Sequence, residues 1–245
     1  LYTAKVELVS AEGVVLQRRL ERFGVRKLEV VGNEFRLNGK PFFVRGFGDD
    51  SAYPVTGLTP ADKAFHLRHL QTARRAGFNF VRLHTHAEIE EYMDAADEAG
   101  IFVQSELSYY HDETEDFFTL DPQRDLRQLY LQQRRHPSFA VYSTGNEGML
   151  GEAADRKVYE FVKSIDPDRL VINQDGGRDN NPGTADYRSG PLVVWRRGAY
   201  EPGVPFVAHE YQNLTVKTDP RLEKDFVGVW LPPVTMARRT AWLAK

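Results

Sequence analysis

Cysteine is absent from all 245 residues. That excludes disulfides, thiolate-held metals and cysteine nucleophiles, and it leaves the redox compartment open, because a chain without thiols tolerates either. No run of about 18 apolar residues occurs, so no helix is expected to span a bilayer and no membrane partner is expected. Basic charge is not in excess: 32 Lys and Arg stand against 35 Asp and Glu, for a formal net charge of -3. A nucleic-acid partner calls for clustered positive charge, so none is expected here. Gly-x-Gly-x-x-Gly and Walker-type loops are missing, which argues against a nucleotide-binding open sheet and against a nucleotide cofactor. The chain begins at Leu1 rather than Met and carries no leader-like stretch, so it reads as the inner part of a longer protein.

What is present is an ordinary globular composition, 41% hydrophobic and 27% charged, enough for one α/β barrel or two smaller domains. The first forty residues are β-like. Tyr2, Ala4, Val6 and Leu8 alternate with polar residues, and Gly32-Asn33 and Asn38-Gly39 are hairpin-type turns. Two hairpins cannot close a sandwich, so they read as the last strands of an all-β domain. After Pro41 strands and helices alternate: strands at 42–46, 78–83, 101–104, 139–143 and 170–173, with helices from Thr59, Ala87, Pro122 and Glu152. Leu192–Trp195 and Phe206–His209 are the candidate sixth and seventh strands, and the Gly- and Asn-rich stretch from Gly176 to Gly190 is expected to be irregular. This alternation is the signature of a parallel sheet covered by helices. The expected fold class is therefore α/β, a TIM-type (β/α)8 barrel, with the chain ending before the barrel closes.

Polar residues gather just after the strands: Asp49-Asp50, His84 and His86, Glu106, and Asn146-Glu147. In a barrel these lie on the C-terminal rim, where barrel active sites are built. Glu147 and Glu210 each follow a buried-type apolar strand. Cleavage of an acetal needs two carboxyl groups; a separation of about 5–5.5 Å gives a covalent intermediate and retention, about 6.5–9.5 Å inversion. The alternative is that each is a solvated loop residue. His84 and His86, two residues apart after a strand, point the same way if the backbone stays extended. As a metal pair they need a third ligand, for which His209 or Glu106 is available; otherwise they serve as hydrogen-bonding groups for substrate. Tyr109, Tyr110 and Trp195 can stack on sugar or fill space. His66 and His69 fall inside a helix and read as packing or surface residues. Ser143 is not in a nucleophile-elbow motif, which argues against serine hydrolase chemistry.

The ordered motifs carry a more specific resemblance. Phe23-Gly24-Val25-Arg26 with Leu37-Asn38-Gly39-Lys40-Pro41 and Arg45-Gly46 resembles the junction between the immunoglobulin-like domain and the barrel in glycoside hydrolase family 2. Phe80-Val81-Arg82-Leu83-His84 resembles that family's second barrel strand, and Tyr92 to Gly100 followed by Ile101-Phe102-Val103 its second helix and third strand. Arg135-His136-Pro137-Ser138 leading to Gly145-Asn146-Glu147 is similar to its acid/base signature, and Pro205 to Tyr211 to its nucleophile strand. The matches run in family order. The resemblance implies residues 1–38 as the end of an immunoglobulin-like β-sandwich and 39–245 as the catalytic barrel. It implies a retaining β-glycosidase acting on glycosides or oligosaccharides, β-galactosidase first and β-glucuronidase or β-mannosidase close behind; no metal and no cofactor are expected. Glu147 would be the acid/base, Glu210 the nucleophile, and Asn146 the partner of the sugar 2-hydroxyl. Arg82 would lie beneath the nucleophile and hold it ionised. Apart from the resemblance, His84, His86, Asp50, Glu106, His209, Tyr211 and Trp195 are candidates for substrate contact from their places in the sequence, with a loop-capping role the alternative for Asp50. The chain departs from the family in carrying Tyr142 where a Trp is usual, and Gln212-Asn213 where a Gly is usual. An inactive or carbohydrate-binding relative, and a metal-dependent hydrolase on a similar barrel, are the competing readings.

Overall fold

The computed structural model describes residues 1–109, 121–146, 152–173, 183–190 and 203–208. All of them fall within one compact unit, Leu1–His209. The chain opens with an antiparallel hairpin, β1 (Tyr2–Val9) and β2 (Val15–Phe23), with Tyr2 stacked on Phe23. A second antiparallel sheet follows: β3 (Leu28–Val31), β4 (Glu34–Leu37) and β5 (Lys40–Phe42), in sequential order. Gly32 and Gly39 take left-handed φ values of 60° and 76° in its two turns, a conformation glycine reaches without a side-chain clash. The division at residue 38 implied by the sequence falls between β4 and β5, inside this sheet.

Five parallel strands then form one sheet in the order β10-β9-β8-β7-β6. They are β6 (Gly46–Asp49), β7 (Phe80–Leu83), β8 (Phe102–Glu106), β9 (Phe139–Ser143) and β10 (Leu170–Ile172). The connecting helices are α1 (Lys63–Arg75), α2 (Glu90–Ala99), α3 (Pro122–Gln133) and α4 (Glu152–Ile165). Two start on aspartate caps: Asp62 accepts from the Ala64 amide and Asp121 from the Arg124 amide. Gly100 ends α2 in the left-handed conformation at φ 71°.

The strand faces divide cleanly on β7 and β8. Val81, Leu83 and Val103 join Leu70 of α1, Tyr92 and Met93 of α2, Leu126 and Leu129 of α3, and Val158 and Val162 of α4 in the layer between sheet and helices. On the other face Phe80 and Phe102 meet Leu28, Phe35, Val30 and Phe42, so the β3–β5 sheet packs against the N-terminal half of the parallel strands. The opposite, C-terminal half of that face carries Arg82, Gln104 and Glu106. Apolar layers below and polar side chains above are what a barrel with its site at the C-terminal rim requires.

Two expectations are corrected. The first parallel strand is Gly46–Asp49, not 42–46. Phe42 belongs to β5, and the backbone from Phe43 to Arg45 is held by a buried asparagine instead. Asn79 donates through Nδ2 to the Phe43 carbonyl (2.9 Å) and accepts at Oδ1 from the Arg45 amide (2.8 Å). Second, the stretch expected to be irregular contains β11 (Arg188–Gly190), which pairs in parallel with β12 (Phe206–Ala208). Asp186 joins it to the main sheet: its amide donates to the Val171 carbonyl (2.8 Å), and its Oδ2 accepts from the Val171 amide (2.7 Å). No closed barrel is found among the described residues. The strand expected at Leu192–Trp195 lies outside them. Among the described residues no helix is long and apolar enough to cross a membrane.

Candidate active site

Arg82 sits on β7 and Glu106 ends β8, side chains on the same face of adjacent strands. The two form a forked pair: Arg82 Nε donates to Glu106 Oε2 at 3.2 Å and Nη2 to Oε1 at 3.3 Å. Glu106 is fully buried and takes two more donors, the Thr85 amide at 2.8 Å on Oε1 and the Ser143 hydroxyl at 3.1 Å on Oε2. A buried carboxylate is tolerable when it is paired and its lone pairs are filled, and this one meets both conditions. Its donors come from β7, from the turn after β7 and from β9, so Glu106 fastens three consecutive strand ends together.

Arg82 Nη2 also reaches Asn146 Oδ1 at 2.5 Å, and the Asn146 amide donates to the Tyr109 carbonyl at 2.8 Å. Arginine can only donate, so the asparagine atom facing it must be the carbonyl oxygen. That turns the amide NH2 away from the guanidinium. Gly145 makes the approach possible: a Cβ there would stand 2.8 Å from the Tyr109 carbonyl oxygen. Asn146 is 2% exposed, so its position is fixed from backbone and side chain together.

The histidines after β7 do not follow strand alternation. Thr85 lies between them at φ 57°, in the left-handed region that a β-branched residue rarely adopts. The turn is held there by the bond from its amide to Glu106. His84 Nδ1 meets Asp50 Oδ1 at 3.0 Å. His86 Nδ1 bonds the His84 carbonyl at 2.9 Å, and its Nε2 stands 3.5 Å from Glu88 Oε1. That last distance is at the outer limit of a hydrogen bond, and the Nε2 atom is buried with no closer partner, so the attraction to Glu88 is chiefly electrostatic. Burial works against the charged imidazole, but Glu88 and the His84 carbonyl outweigh it, and the His86 pKa is held above its ordinary value. Burial likewise works against a charged Glu88, yet bonding from His86 and Tyr53 keeps its pKa below the usual carboxylate range.

Of the residues singled out in the sequence, Arg82, Glu106 and Asn146 form one bonded group, and Asp50, His84 and His86 another beside it. Glu147, His209, Glu210, Tyr211, Trp195 and Tyr110 lie outside the described residues. Glu106 has its side chain closed off under its donors. Tyr109 donates its hydroxyl to Asp125 Oδ2 at 2.9 Å and packs in the helix-side core. Tyr142, the departure from the family Trp, packs on the helix side too, its hydroxyl on Asp166 Oδ2 at 2.9 Å. Glu88, Tyr53 and Ser143 were missed as partners of the site, and nothing in their spacing singles them out.

One group among the described residues brings three metal-type ligand atoms within 4.8 Å: Asp94, Asp97 and His136. Their atoms are already employed. Asp97 accepts from His136 Nδ1 (2.7 Å) and from the Ser138 amide (2.8 Å), and Asp94 pairs with Arg135 at 3.3 Å. The cluster ties α2 to the turn before β9 and thereby seats the strand that ends just before Asn146.

Residues 28–188 match the model of glycosyl hydrolases family 2, TIM barrel domain. A β-galactosidase of Lactococcus lactis subsp. lactis is 26% identical over 194 residues, which is 76% of this chain and 19% of the relative. A β-galactosidase of Photobacterium profundum is 28% identical over 188 residues, 72% of this chain and 18% of the relative. The chain thus spans about a fifth of the length of these curated relatives. Among solved structures, a β-glycosidase from Bacteroides vulgatus superposes with a TM-score of 0.71 at 22% identity, covering 84% of this chain and 28% of the other. A Parabacteroides merdae β-glucuronidase gives 0.66 at 19% identity, covering 84% and 29%. Residues 28–188 cover all five strands of the parallel sheet and reach from Arg82 to Asn146, so the chain belongs to glycosyl hydrolase family 2 and contains that family's TIM-barrel domain.

Proposed function

We propose that the chain supplies the catalytic region of a retaining β-glycosidase acting on terminal sugars, with β-galactosides the first substrate class. Glu147 serves as acid/base and Glu210 as nucleophile. The observation that carries the reading is the clamped Asn146, immediately before Glu147. With Oδ1 on Arg82 and its backbone amide on Tyr109, it has its NH2 to offer to a hydroxyl acceptor. A hydrogen bond to the sugar 2-hydroxyl that strengthens in the transition state is worth several kcal/mol in this chemistry. Both relatives named β-galactosidase support the choice of sugar. Glu106 acts through Arg82 and Asn146 instead of touching the sugar, because its side chain is fully buried and takes four bonds from described residues alone. Arg82, placed between Glu106 and Asn146, holds the Glu210 carboxylate ionised through its charge. His84, His86 and Asp50 are sugar-binding residues in this reading, as are His209, Tyr211 and Trp195. The β1–β2 hairpin closes a preceding immunoglobulin-like domain, and the barrel region begins with the β3–β5 sheet, which packs on the parallel strands and lies within the span matched from residue 28.

The test separates the two carboxylates. A nucleophile variant forms no glycosyl-enzyme, whereas an acid/base variant still forms it when the leaving group needs no proton. In the full-length parent, Glu210→Ala should abolish hydrolysis of every substrate. Glu147→Ala should retain activity on aryl β-glycosides with good leaving groups and be rescued by azide, giving a β-glycosyl azide. The reverse pattern exchanges the roles, and unchanged activity in both variants removes both residues from the mechanism.

A further inference from the structure

Glu88 is a second closed-off carboxylate near the rim, and the chemistry proposed above makes no use of it. It precedes α2, its side chain is 1% exposed, and its bonds run in three directions. Oε1 accepts the Tyr53 hydroxyl at 2.8 Å, Oε2 accepts the Ile89 amide at 3.3 Å, and Oε1 faces His86 Nε2 at 3.5 Å. Its backbone is anchored from behind: Gln133 of α3 donates to the Glu88 carbonyl at 3.1 Å and accepts the Ser105 hydroxyl of β8 at 2.6 Å. The carboxylate is therefore fixed to the helix layer, while its ligands belong to the loops on the rim.

Tyr53 lies in the loop between β6 and α1, and so does Asp50, which holds His84. The contacts close a ring. Asp50 meets His84, the His84 carbonyl meets His86, His86 faces Glu88, and Glu88 takes the hydroxyl of Tyr53, three residues after Asp50. Two cross-links join the rim loops after β6 and β7, and His86 is held between them.

We infer that Glu88 and Tyr53 are positioning residues that clasp the β6–α1 loop to the turn after β7 and fix the ring of His86 in the wall of the sugar site. The assignment of that wall rests on the glycosidase reading; the clasp does not. The charges that face the His86 imidazole are Glu88 from before α2 and Asp49 from β6, and both favour the protonated ring. Asp49 is itself held by the Tyr92 hydroxyl at 3.2 Å and the Ser51 amide at 3.0 Å. Held by the His84 carbonyl at Nδ1 and drawn to Glu88 at Nε2, the ring keeps one orientation toward the rim.

The experiment uses the chain with 15N-labelled histidine, the His86 signals being assigned by loss in His86→Gln. In Glu88→Gln the His86 pKa should fall by about one unit, because the nearest opposite charge is gone. Tyr53→Phe should leave that titration within a few tenths of a unit but raise backbone hydrogen exchange across residues 51–59 about tenfold, the loss of one charge-assisted bond. On aryl β-glycosides both variants should raise KM about five- to tenfold and leave kcat within about twofold, since neither residue touches reacting atoms. Glu88→Asp should restore most of the His86 pKa. An unchanged His86 titration in Glu88→Gln, or unchanged loop exchange in Tyr53→Phe, overturns the clasp. Should Glu88→Gln fail to fold, the Tyr53→Phe exchange result decides. If both NMR readouts respond while no β-glycoside is hydrolysed by the unmodified protein, the clasp stands and the glycosidase reading falls.

Discussion

Replacing Glu106 by glutamine changes one oxygen to an NH2 and removes one charge, and the local bonding allows the cost to be worked out. The amide oxygen can keep the position of Oε1, where the Thr85 amide donates at 2.8 Å and Arg82 Nη2 at 3.3 Å. The NH2 then occupies the position of Oε2, facing Arg82 Nε at 3.2 Å and the Ser143 hydroxyl at 3.1 Å. Nε is a donor meeting a donor, so that bond is lost. Ser143 can rotate to accept, since its hydroxyl also reaches the Gly145 carbonyl at 3.2 Å. The greater cost is electrostatic: the guanidinium, 10% exposed, loses a counter-charge 3.2 Å away. Breaking a buried pair by removing one partner costs about 3–5 kcal/mol, and the retained bonds put Glu106→Gln near about 3 kcal/mol. For a chain of this size each kcal/mol lowers Tm by about 2–4 °C, so a loss of about 6–12 °C is expected in a melt followed by circular dichroism. The double variant Arg82→Met, Glu106→Leu should be less destabilised than the sum of the singles by about 1–3 kcal/mol, because each single change breaks the same forked pair and the cost of breaking it is counted twice in the sum. A Glu106→Gln protein within about 1 kcal/mol of its parent in urea titration, or strict additivity in the cycle, would refute the pairing argument.

Two further outcomes follow from the same geometry. Gly145→Ala puts a Cβ 2.8 Å from the Tyr109 carbonyl oxygen, a backbone atom that cannot swing away; denaturant titration should show a loss of about 1–3 kcal/mol, and turnover should fall about a hundredfold as Asn146 is displaced. The His86–Glu88 pair should give stability a pH plateau. The raised His86 pKa contributes fully below its ordinary 6.5 and is lost as pH rises through the raised value; the lowered Glu88 pKa contributes above its ordinary 4.5 and is lost as pH falls through the lowered value. Unfolding free energies measured from about pH 4 to 8 should therefore peak between these limits, and Glu88→Gln should flatten the peak.

The alternation of strands and helices was legible because each parallel strand from β7 to β10 is buried on both faces and each helix announces its start or stop. Asp62 and Asp121 cap helices that the sequence placed within a few residues, and Gly100 ends α2 at the expected position. The errors have local causes. Residues 42–46 looked like a barrel strand because they are apolar, but Phe43 is 77% exposed and its backbone answers to Asn79, 36 positions away. Arg188-Ser189-Gly190 forms a strand with no large apolar residue, since neighbouring strands and not hydrophobic pattern hold it. For His84 and His86 the period of two fails because Thr85 turns left-handed, its amide donating to Glu106, 21 positions on. Local pattern cannot report a constraint imposed by a residue on the next strand.

The same limit explains why the polar residues after the strands could be picked out from sequence while their bonding partners could not. Arg82 was expected to serve a carboxylate on a distant strand; among the described residues it meets Glu106 and Asn146, 24 and 64 positions away. An apolar pair in place of Arg82 and Glu106 would fill the space without desolvating two charges, and such replacements are often neutral or stabilising. The ionic pair supplies direction instead. A fork of donors fixes the plane of the guanidinium, the guanidinium then fixes which end of Asn146 faces it, and the four bonds at Glu106 set the turn that separates His84 from His86. One buried carboxylate thus governs the orientation of side chains on two rim segments. An apolar pair in its place would stabilise as well and specify neither, which is why the charge is best understood through what it aims and not through what it binds.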